Sequence, residues 1–276
     1  MKTVVVGGRT ISALGQGTWN MGDTADKRAA EIATLRRGVA LGMTLIDTAE
    51  MYGSGRSESL VGDAIDGLRD QVQLVSKVLP SNASTDGTMR ACEASLKRLG
   101  VDALDLYLLH WRGRFPLRET VEALQKLKKQ GKIRAWGVSN FDVEDMEELF
   151  AVPGGEECQV NQVLYNPEHR GIEFDLLPWC QQHGVAVMAY SPVGQGGKLL
   201  ASAAIRAVAQ RHGVSPAQAS LAWCLRQPVL AIPKASLIPH VEENAAAAKL
   251  RLDEQDLAEI DRSFPTPKRK QALEML

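Results

Sequence analysis

Short apolar runs recur along the chain, and each of them ends at a polar residue. Runs of this length with flanking glycines are typical of buried strands rather than of helices. The polar residues that follow them are Asp47, Lys77, His110, Ser139 with Asn140, Gln162, Tyr190 with Ser191, and Lys234. If the runs are parallel strands of one sheet, these side chains gather at its carboxyl edge, where β/α sheets place their chemistry.

Helix-like segments precede several of these runs, and glycine separates the two. The glycines concerned are Gly42, Gly100, Gly131 and Gly184. A glycine just past a helix accepts the left-handed conformation that closes the last turn. The pattern therefore predicts alternating helices and strands.

The predicted strands span residues 16–19, 43–46, 72–76, 103–109, 133–138, 158–161, 185–189 and 229–233. Eight strands in 276 residues give about 34 residues per unit, the size of a βα repeat in a (β/α)8 barrel. Two β-prone runs around Gly7-Gly8 predict a hairpin. Two helices are predicted near 201–212 and 215–226, between the last two strands. One crossover connection needs only one helix, so we expect one of the two to be an insertion. We predict an α/β fold, a (β/α)8 TIM barrel with an N-terminal β-hairpin cap and extra helices, as a single domain over residues 1–276.

The composition narrows the partners and the compartment. A net charge of -1 argues against a nucleic-acid or anionic membrane surface. No apolar stretch is long enough for a membrane span, and residues 1–8 lack the apolar core of a signal peptide. The four cysteines show no metal or redox spacing, so we expect reduced thiols and a cytoplasmic protein. The basic tail from Ser263 is expected to be a solvated terminus packed over the barrel.

Several motif searches fail. Gly15-Gln16-Gly17 begins like a dinucleotide fingerprint, but the third glycine comes too late. The five histidines do not form the spacings of a zinc site, so no metal is expected.

Asp47, Tyr52, Lys77 and His110 form a more informative group. Each has an ordinary structural explanation when it is taken alone, such as helix capping for Asp47 or loop anchoring for Tyr52. Lys77 is the hardest to explain in that way, because a lysine in a central strand needs a partner, and Asp47 on the neighbouring strand is available. Together the four side chains suit the reduction of a carbonyl, with Tyr52 as the proton donor, His110 orienting the oxygen and a cofactor supplying hydride.

The expected electrostatics can be given a rough size. An ammonium about 4 Å from a phenol, at an effective dielectric of about 20, favours the phenolate by roughly 4 kcal/mol. We therefore expect Lys77 to lower the pKa of Tyr52 by up to about 3 units, toward neutral pH.

At this point the sequence resembles the aldo-keto reductase family. The segment Asp47-Thr48-Ala49-Glu50-Met51-Tyr52-Gly53 is similar to the signature of its second strand, and the family's catalytic Asp, Tyr, Lys and His fall on Asp47, Tyr52, Lys77 and His110. The resemblance continues through Gly137–Phe141, Asn161-Gln162, Ala189–Pro192 and Ile232–Ala235. It implies a (β/α)8 barrel that binds NADPH in an extended form, with weaker use of NADH.

The resemblance also implies a set of cofactor-binding residues. Ser139, Asn140 and Gln162 would hold the nicotinamide carboxamide, Tyr190 would stack on the ring, and Ser191 would meet the pyrophosphate. Lys234 and Ser236 would meet the 2′-phosphate, and Glu243 and Asn244 the adenine. The remaining residues of the expected cofactor site are Gly17, Thr18, Trp19, Asp47, Val193, Ala235 and His240.

Two positions depart from the family. His240 stands where many members have arginine, and a histidine carries only a partial charge near neutral pH, so the preference for NADPH should be weakened. The stretch after Ser191 is shorter than the loop that clasps the cofactor in many members, so we expect faster cofactor exchange.

The predicted substrate site combines Tyr52 and His110 with Trp19 and Trp111, which directly follow strand ends. Met21 and Met51 in adjacent loops are expected to add to an open, apolar wall. Trp179 and Trp223 are expected in the outer core. The segment Arg170–Cys180 resembles bacterial members that reduce small aldehydes and dicarbonyls such as methylglyoxal.

Two interpretations remain open. The first is an NADPH-dependent carbonyl reductase that acts on a small carbonyl substrate as a monomer. The second is a cofactor-binding regulatory or redox-sensing barrel with little turnover, which would keep the same four residues. The absence of an N-terminal extension and of an obvious assembly surface favours the enzyme.

Overall fold

The computed structural model describes residues 2–276, so Met1 of the predicted domain lies outside the described residues. The strands are β1 Thr3–Val6, β2 Arg9–Ser12, β3 Gln16–Gly17, β4 Leu45–Asp47, β5 Gln73–Val78, β6 Leu104–Leu109, β7 Ile133–Ser139, β8 Val160–Leu164, β9 Ala186–Tyr190 and β10 Val229–Ala231. The helices are α1 Ala25–Ala40, α2 Arg56–Ile65, α3 Thr85–Leu99, α4 Leu117–Lys129, α5 Val143–Phe150, α6 Leu176–Gln182, α7 Lys198–Ala201, α8 Ala203–His212, α9 Pro216–Cys224, α10 Ile238–Ala247 and α11 Glu254–Ser263.

Strands β3 to β10 form one parallel sheet in the order of the sequence. The sheet closes between its first and last strands, because Leu14 and Gly17 form parallel bridges to Ala231 and Lys234. The predicted TIM barrel is therefore confirmed. The predicted first strand is shorter than expected, since only Gln16 and Gly17 pair with β4.

The hairpin of β1 and β2 is antiparallel, as predicted. Its buried residues Val6 and Ile11 join the barrel's interior core with Leu45, Leu106 and Met188. The hairpin thus closes the amino end of the barrel with apolar side chains. A second core lies between the sheet and the surrounding helices, and it includes Trp223 and Leu35.

Local chemistry explains several helix boundaries. Gly42, Gly100, Gly131 and Gly184 all have positive φ, between 65° and 89°, at the predicted helix ends. At the other end, Asp142 begins α5 with a reciprocal capping box to Asp145. These helix boundaries determine where each strand begins, and the carboxyl ends of the strands lie on one face of the barrel.

Three helices fill the region between β9 and β10. They are the short α7 and the two predicted helices, α8 and α9. No helix among residues 2–276 combines the length and apolar character needed to cross a membrane. The four cysteines are buried and unpaired, and burial raises the pKa of Cys92 and Cys158 to about 12.

Candidate active site

The four predicted catalytic residues meet at the carboxyl edge of the barrel. Asp47 is the last residue of β4, Lys77 lies near the end of β5, and His110 directly follows β6. Tyr52 lies in the loop after β4. The Lys77 ammonium donates to Asp47 Oδ2 at 2.8 Å, to the Thr48 carbonyl at 2.9 Å and to the Tyr52 hydroxyl at 3.1 Å. A single buried cation therefore joins the carboxylate and the phenol.

Lys77 remains charged in this environment. Burial opposes the charge of a lysine, yet Asp47 and Tyr52 outweigh burial and raise the pKa of Lys77 above its usual value. The side chain has no exposed surface, so its charge acts on its neighbours without dilution by bulk water.

The expected pKa of Tyr52 is wrong in its direction. Burial raises the pKa of the Tyr52 phenol, and it outweighs the lowering effect of Lys77, while Asp47 adds to the rise. The sequence reasoning included the ammonium but not the loss of hydration around the phenol. Tyr52 therefore keeps its proton at neutral pH, as its predicted role of proton donor requires.

His110 is a neutral imidazole. Burial and the nearby Lys77 charge lower its pKa to about 3. Its ring lies edge-on to Tyr52, with centroids 5.8 Å apart. Nδ1 is buried with no hydrogen-bond partner among residues 2–276, which leaves Nε2 for an oxygen bound in the cleft. A neutral imidazole can donate to such an oxygen without competing for the tyrosine's proton.

A cleft of about 840 Å³ lies over these residues. The predicted site residues that line it are Gly17, Thr18, Trp19, Asp47, Tyr52, His110, Trp111, Ser139, Asn140, Gln162, Tyr190, Ser191, Val193, Lys234, His240, Glu243 and Asn244. Lys77 lies beneath its floor. Ala235 and Ser236 are not in its lining, although Lys234 before them and three residues of α10 after them are.

A network of hydrogen bonds joins the residues next to the four predicted catalytic side chains. Asn140 donates to the His110 carbonyl and to Ser139 Oγ, both at 3.2 Å, and accepts from the Tyr190 hydroxyl at 2.9 Å. Gln162 donates to Asp47 Oδ1 at 2.8 Å. The structure extends β8 to Leu164, so Gln162 lies inside this strand rather than at its end.

These bonds limit what the network can still bind. Both N–H groups of Asn140 are used, and Ser139 Oγ donates to the Gln162 carbonyl at 2.8 Å. Gln162 Nε2 uses both of its N–H groups as well, because it donates to Asp47 Oδ1 and to Met188 Sδ, each at 2.8 Å. The groups left for a bound amide are therefore acceptors, a lone pair on Asn140 Oδ1 and the side-chain oxygen of Gln162. These two oxygens can accept from the NH2 group of a bound carboxamide.

The far end of the cleft reaches the beginnings of two helices. Lys234, which lies four residues before α10, lines this end of the cleft together with His240, Glu243 and Asn244 of that helix. The sequence analysis missed the segment Ser215–Ala217 at the start of α9, which also lines the cleft. Ser215 followed by Pro216 is a typical helix start, but a helix start does not indicate which face of the barrel the helix will reach.

The cleft also has an apolar wall. Trp19, Trp111 and Met51 line it, and Trp19 and Met51 are 43% and 40% exposed. The prediction for Met21 is wrong, because its side chain is fully buried in the outer core. Trp223 is buried there too, as expected, and Trp179 packs against the same core and stacks on His183.

The C-terminal tail contributes residues that the sequence did not reveal. Met275 and Leu276 line the cleft, and the backbone of Leu276 lies beside the Tyr190 hydroxyl. Arg170 holds the start of the tail by donating to the Phe264 carbonyl at 2.5 Å and to Thr266 Oγ1 at 2.9 Å. The C-terminal tail therefore packs over the barrel, as expected, and its last two residues line the cleft.

Comparison with known proteins decides the family. The model of the aldo/keto reductase family matches residues 13–264. The chain belongs to the aldo/keto reductase family. The match covers the whole barrel and the positions of Asp47, Tyr52, Lys77 and His110. The family and the oxidoreductase class predicted from the sequence are therefore confirmed.

This aldo/keto reductase is similar to several characterised proteins. It is 54% identical over 272 residues to methylglyoxal reductase YeaE of Escherichia coli, covering 97% of this chain and 96% of that protein. It is 37% identical to glyoxal reductase of Bacillus subtilis, covering 83% and 81%. A crystal structure of an aldo/keto reductase from Klebsiella pneumoniae, in complex with NADP and acetate, superposes with a TM-score of 0.98 at 53% identity and covers 100% and 99%.

Proposed function

We propose that this aldo/keto reductase catalyses the NADPH-dependent reduction of aldehydes, dicarbonyls such as methylglyoxal, and some ketones to alcohols. The observation that carries the proposal is the buried Lys77 ammonium, within 3.1 Å of both Asp47 and Tyr52 at the base of a large cleft. The relatives named above act on small dicarbonyls, and the similar Klebsiella protein binds NADP.

The cleft suits an extended dinucleotide. It runs from the four predicted catalytic residues, past Ser139, Asn140, Gln162 and Tyr190, to Lys234 before α10 and His240 on α10. We assign the carboxamide to Gln162 and Asn140, the stacking surface to Tyr190, the pyrophosphate to Ser191 and the 2′-phosphate to Lys234 and His240. Bound NADPH would supply the hydride.

The chain's own residues supply the proton. Tyr52 starts as a neutral phenol and gives its proton to the carbonyl oxygen as that oxygen gains negative charge. The phenolate that remains lies against the Lys77 ammonium, an interaction worth ~4 kcal/mol at an effective dielectric of ~20. Lys77 therefore acts mainly when the proton moves, rather than by ionising Tyr52 beforehand. His110 donates a hydrogen bond to the same oxygen.

The cleft also indicates the size and character of the substrate. Trp19, Met51 and Trp111 present apolar surface, and nothing in this wall fixes a particular polar substituent. Such a site accepts small carbonyl compounds with little discrimination among them. We further propose that the protein acts as a monomer in the cytoplasm and that residues 1–276 form one domain.

The direct test is the consumption of NADPH with a panel of methylglyoxal, glyoxal, simple aldehydes and ketones, with NADH in parallel. We expect turnover with the aldehydes and dicarbonyls, slower turnover with ketones, and a lower KM for NADPH than for NADH. Tight NADPH binding without turnover of any carbonyl compound would favour the regulatory alternative instead.

A further inference from the structure

The loop that follows β9 begins with a residue in a strained conformation. Ser191 has a φ of 48°, in the left-handed region that non-glycine residues rarely adopt. Asn20, Asn140 and Gln195 share this property, and all of them line the cleft. A conformation that costs free energy persists only if surrounding groups hold it in place.

Asn166 provides one such constraint. Its side chain is fully buried, and its Nδ2 donates to the Ser191 carbonyl at 2.9 Å. Its Oδ1 accepts from the backbone amides of Glu168 at 2.9 Å and His169 at 3.2 Å. Because two N–H donors fix the oxygen, the NH2 group must face Ser191. Asn166 therefore links the loop after β8 to the loop after β9.

Ser220 holds the next peptide from the other side. It lies on α9, is fully buried, and donates from Oγ to the Pro192 carbonyl at 2.8 Å. The Gly194 amide also donates to the Ser191 carbonyl, at 3.0 Å, and closes a tight turn. Two consecutive carbonyls are thus held by buried side chains, one from the loop after β8 and one from α9.

Asn166 and Ser220 do not line the cleft, whereas Ser191, Pro192 and Val193 do. Both buried residues donate directly to carbonyls of the Ser191–Pro192 turn, so this turn is their shortest connection to a ligand in the cleft. We infer that Asn166 and Ser220 are positioning residues, which hold this turn in the shape that presents Ser191 to the cofactor's pyrophosphate and so slow cofactor release. The inference rests on the proposed binding of NADPH.

Asn166→Asp tests the donor without removing the acceptor. The new carboxylate can still accept from Glu168 and His169, but an oxygen replaces the NH2 group that faces the Ser191 carbonyl. Ser220→Ala removes the second anchor and introduces no charge. Thr120→Val is the matched control, because buried Thr120 donates to the Ala83 carbonyl at 2.7 Å in a loop outside the cleft lining.

Isothermal titration with NADPH measures the effect in the absence of a carbonyl substrate. We expect Asn166→Asp to raise the Kd for NADPH about tenfold through faster dissociation, and Ser220→Ala to raise it about threefold. Thr120→Val should stay within about twofold of the wild type at a comparable loss of thermal stability. In steady state, the KM for NADPH should rise while the KM for methylglyoxal does not.

A double-mutant cycle with Ser191→Gly tests the mechanism, because glycine adopts positive φ without a penalty. The cost of Asn166→Asp should fall from about tenfold beside Ser191 to about twofold beside Gly. An unchanged Kd in Asn166→Asp, or an equal cost in both backgrounds, would overturn the inference. If Asn166→Asp does not fold, an unchanged Kd in Ser220→Ala overturns it. A wild-type protein that binds no NADPH would instead refute the proposed function.

Discussion

At Tyr52, burial raises the pKa of the phenol and the Lys77 charge lowers it. Burial keeps the Tyr52 phenol protonated, and Asp47 and Tyr52 together keep Lys77 charged against its own desolvation. The sequence identified the partners, because a lysine in a central strand requires a counter-ion. It gave the wrong direction for the pKa of Tyr52, because the burial of a loop residue cannot be seen in the spacing of residues.

His110 makes the stability of the protein depend on pH. Its pKa is about 3 in the folded state and 6.5 in the reference state, so the unfolded chain binds more protons between these values. Its contribution is present in full above pH 6.5 and is lost progressively as the pH falls toward 3. At pH 4.5 the loss from this residue should be roughly 2–3 kcal/mol relative to pH 7.

His110→Gln should remove that component. Denaturant unfolding of both proteins between pH 7 and pH 4.5 measures it, and the slope of unfolding free energy against pH should be smaller for the variant by about 1.4 kcal/mol per pH unit below 6.5. The other four histidines are common to both proteins and cancel in the comparison. Parallel pH profiles would mean that His110 titrates normally in the folded protein.

At the scale of elements, the start of α10 contains the position that we expect to set cofactor preference. His240 and Lys234 line that end of the cleft, and Glu243 lies on the next turn. Arginine at position 240 would carry a permanent charge and two parallel donors for a phosphate. His240→Arg should therefore lower the Kd for NADPH about tenfold and leave the Kd for NADH within about twofold. Equal changes for both cofactors would remove His240 from the 2′-phosphate site.

Asp105 joins four elements at the amino end of the barrel. Its carboxylate pairs with Arg9 of β2, with Arg134 of β7 and with Arg69 in the connection before β5, at 2.9 to 3.0 Å. It also accepts from the Leu74 amide of β5 at 2.9 Å. The Asp105 side chain is 7% exposed, whereas Arg9 and Arg134 are about half exposed, so solvent weakens each pair.

Asp105→Asn should lower the free energy of unfolding by about 1–3 kcal/mol, because three arginines lose their shared counter-charge. Asp63→Asn, which removes the exposed partner of Arg28, should cost less than about 0.5 kcal/mol. Neither variant touches the cleft, so kcat should be unchanged for both. Thermal unfolding and steady-state assays make the comparison, and equal stability of the two variants would contradict the role given to Asp105.

For the whole molecule, the sequence predicted the architecture better than the details of the cleft. Apolar strands and the glycines that end helices can be recognised from a few neighbouring residues. Once the strands are taken to be parallel, their order determines which residues lie at the carboxyl edge of the sheet. The contributions of Met275, Leu276 and Ser215 depend on how distant segments fold back over the barrel, and no periodic pattern encodes that path. Met21 was misplaced for the same reason, since a loop methionine can face either the core or the cleft.

The account depends on Tyr52 as the proton donor, and Tyr52→Phe tests it most directly. The measurement is the rate of NADPH oxidation in a single turnover with methylglyoxal, together with the Kd for NADPH by titration. We predict a rate lower by at least ~10²-fold, because a general acid is lost, with the Kd for NADPH within about twofold of the wild type. A Tyr52→Phe protein that consumes NADPH at the wild-type rate would contradict the assignment.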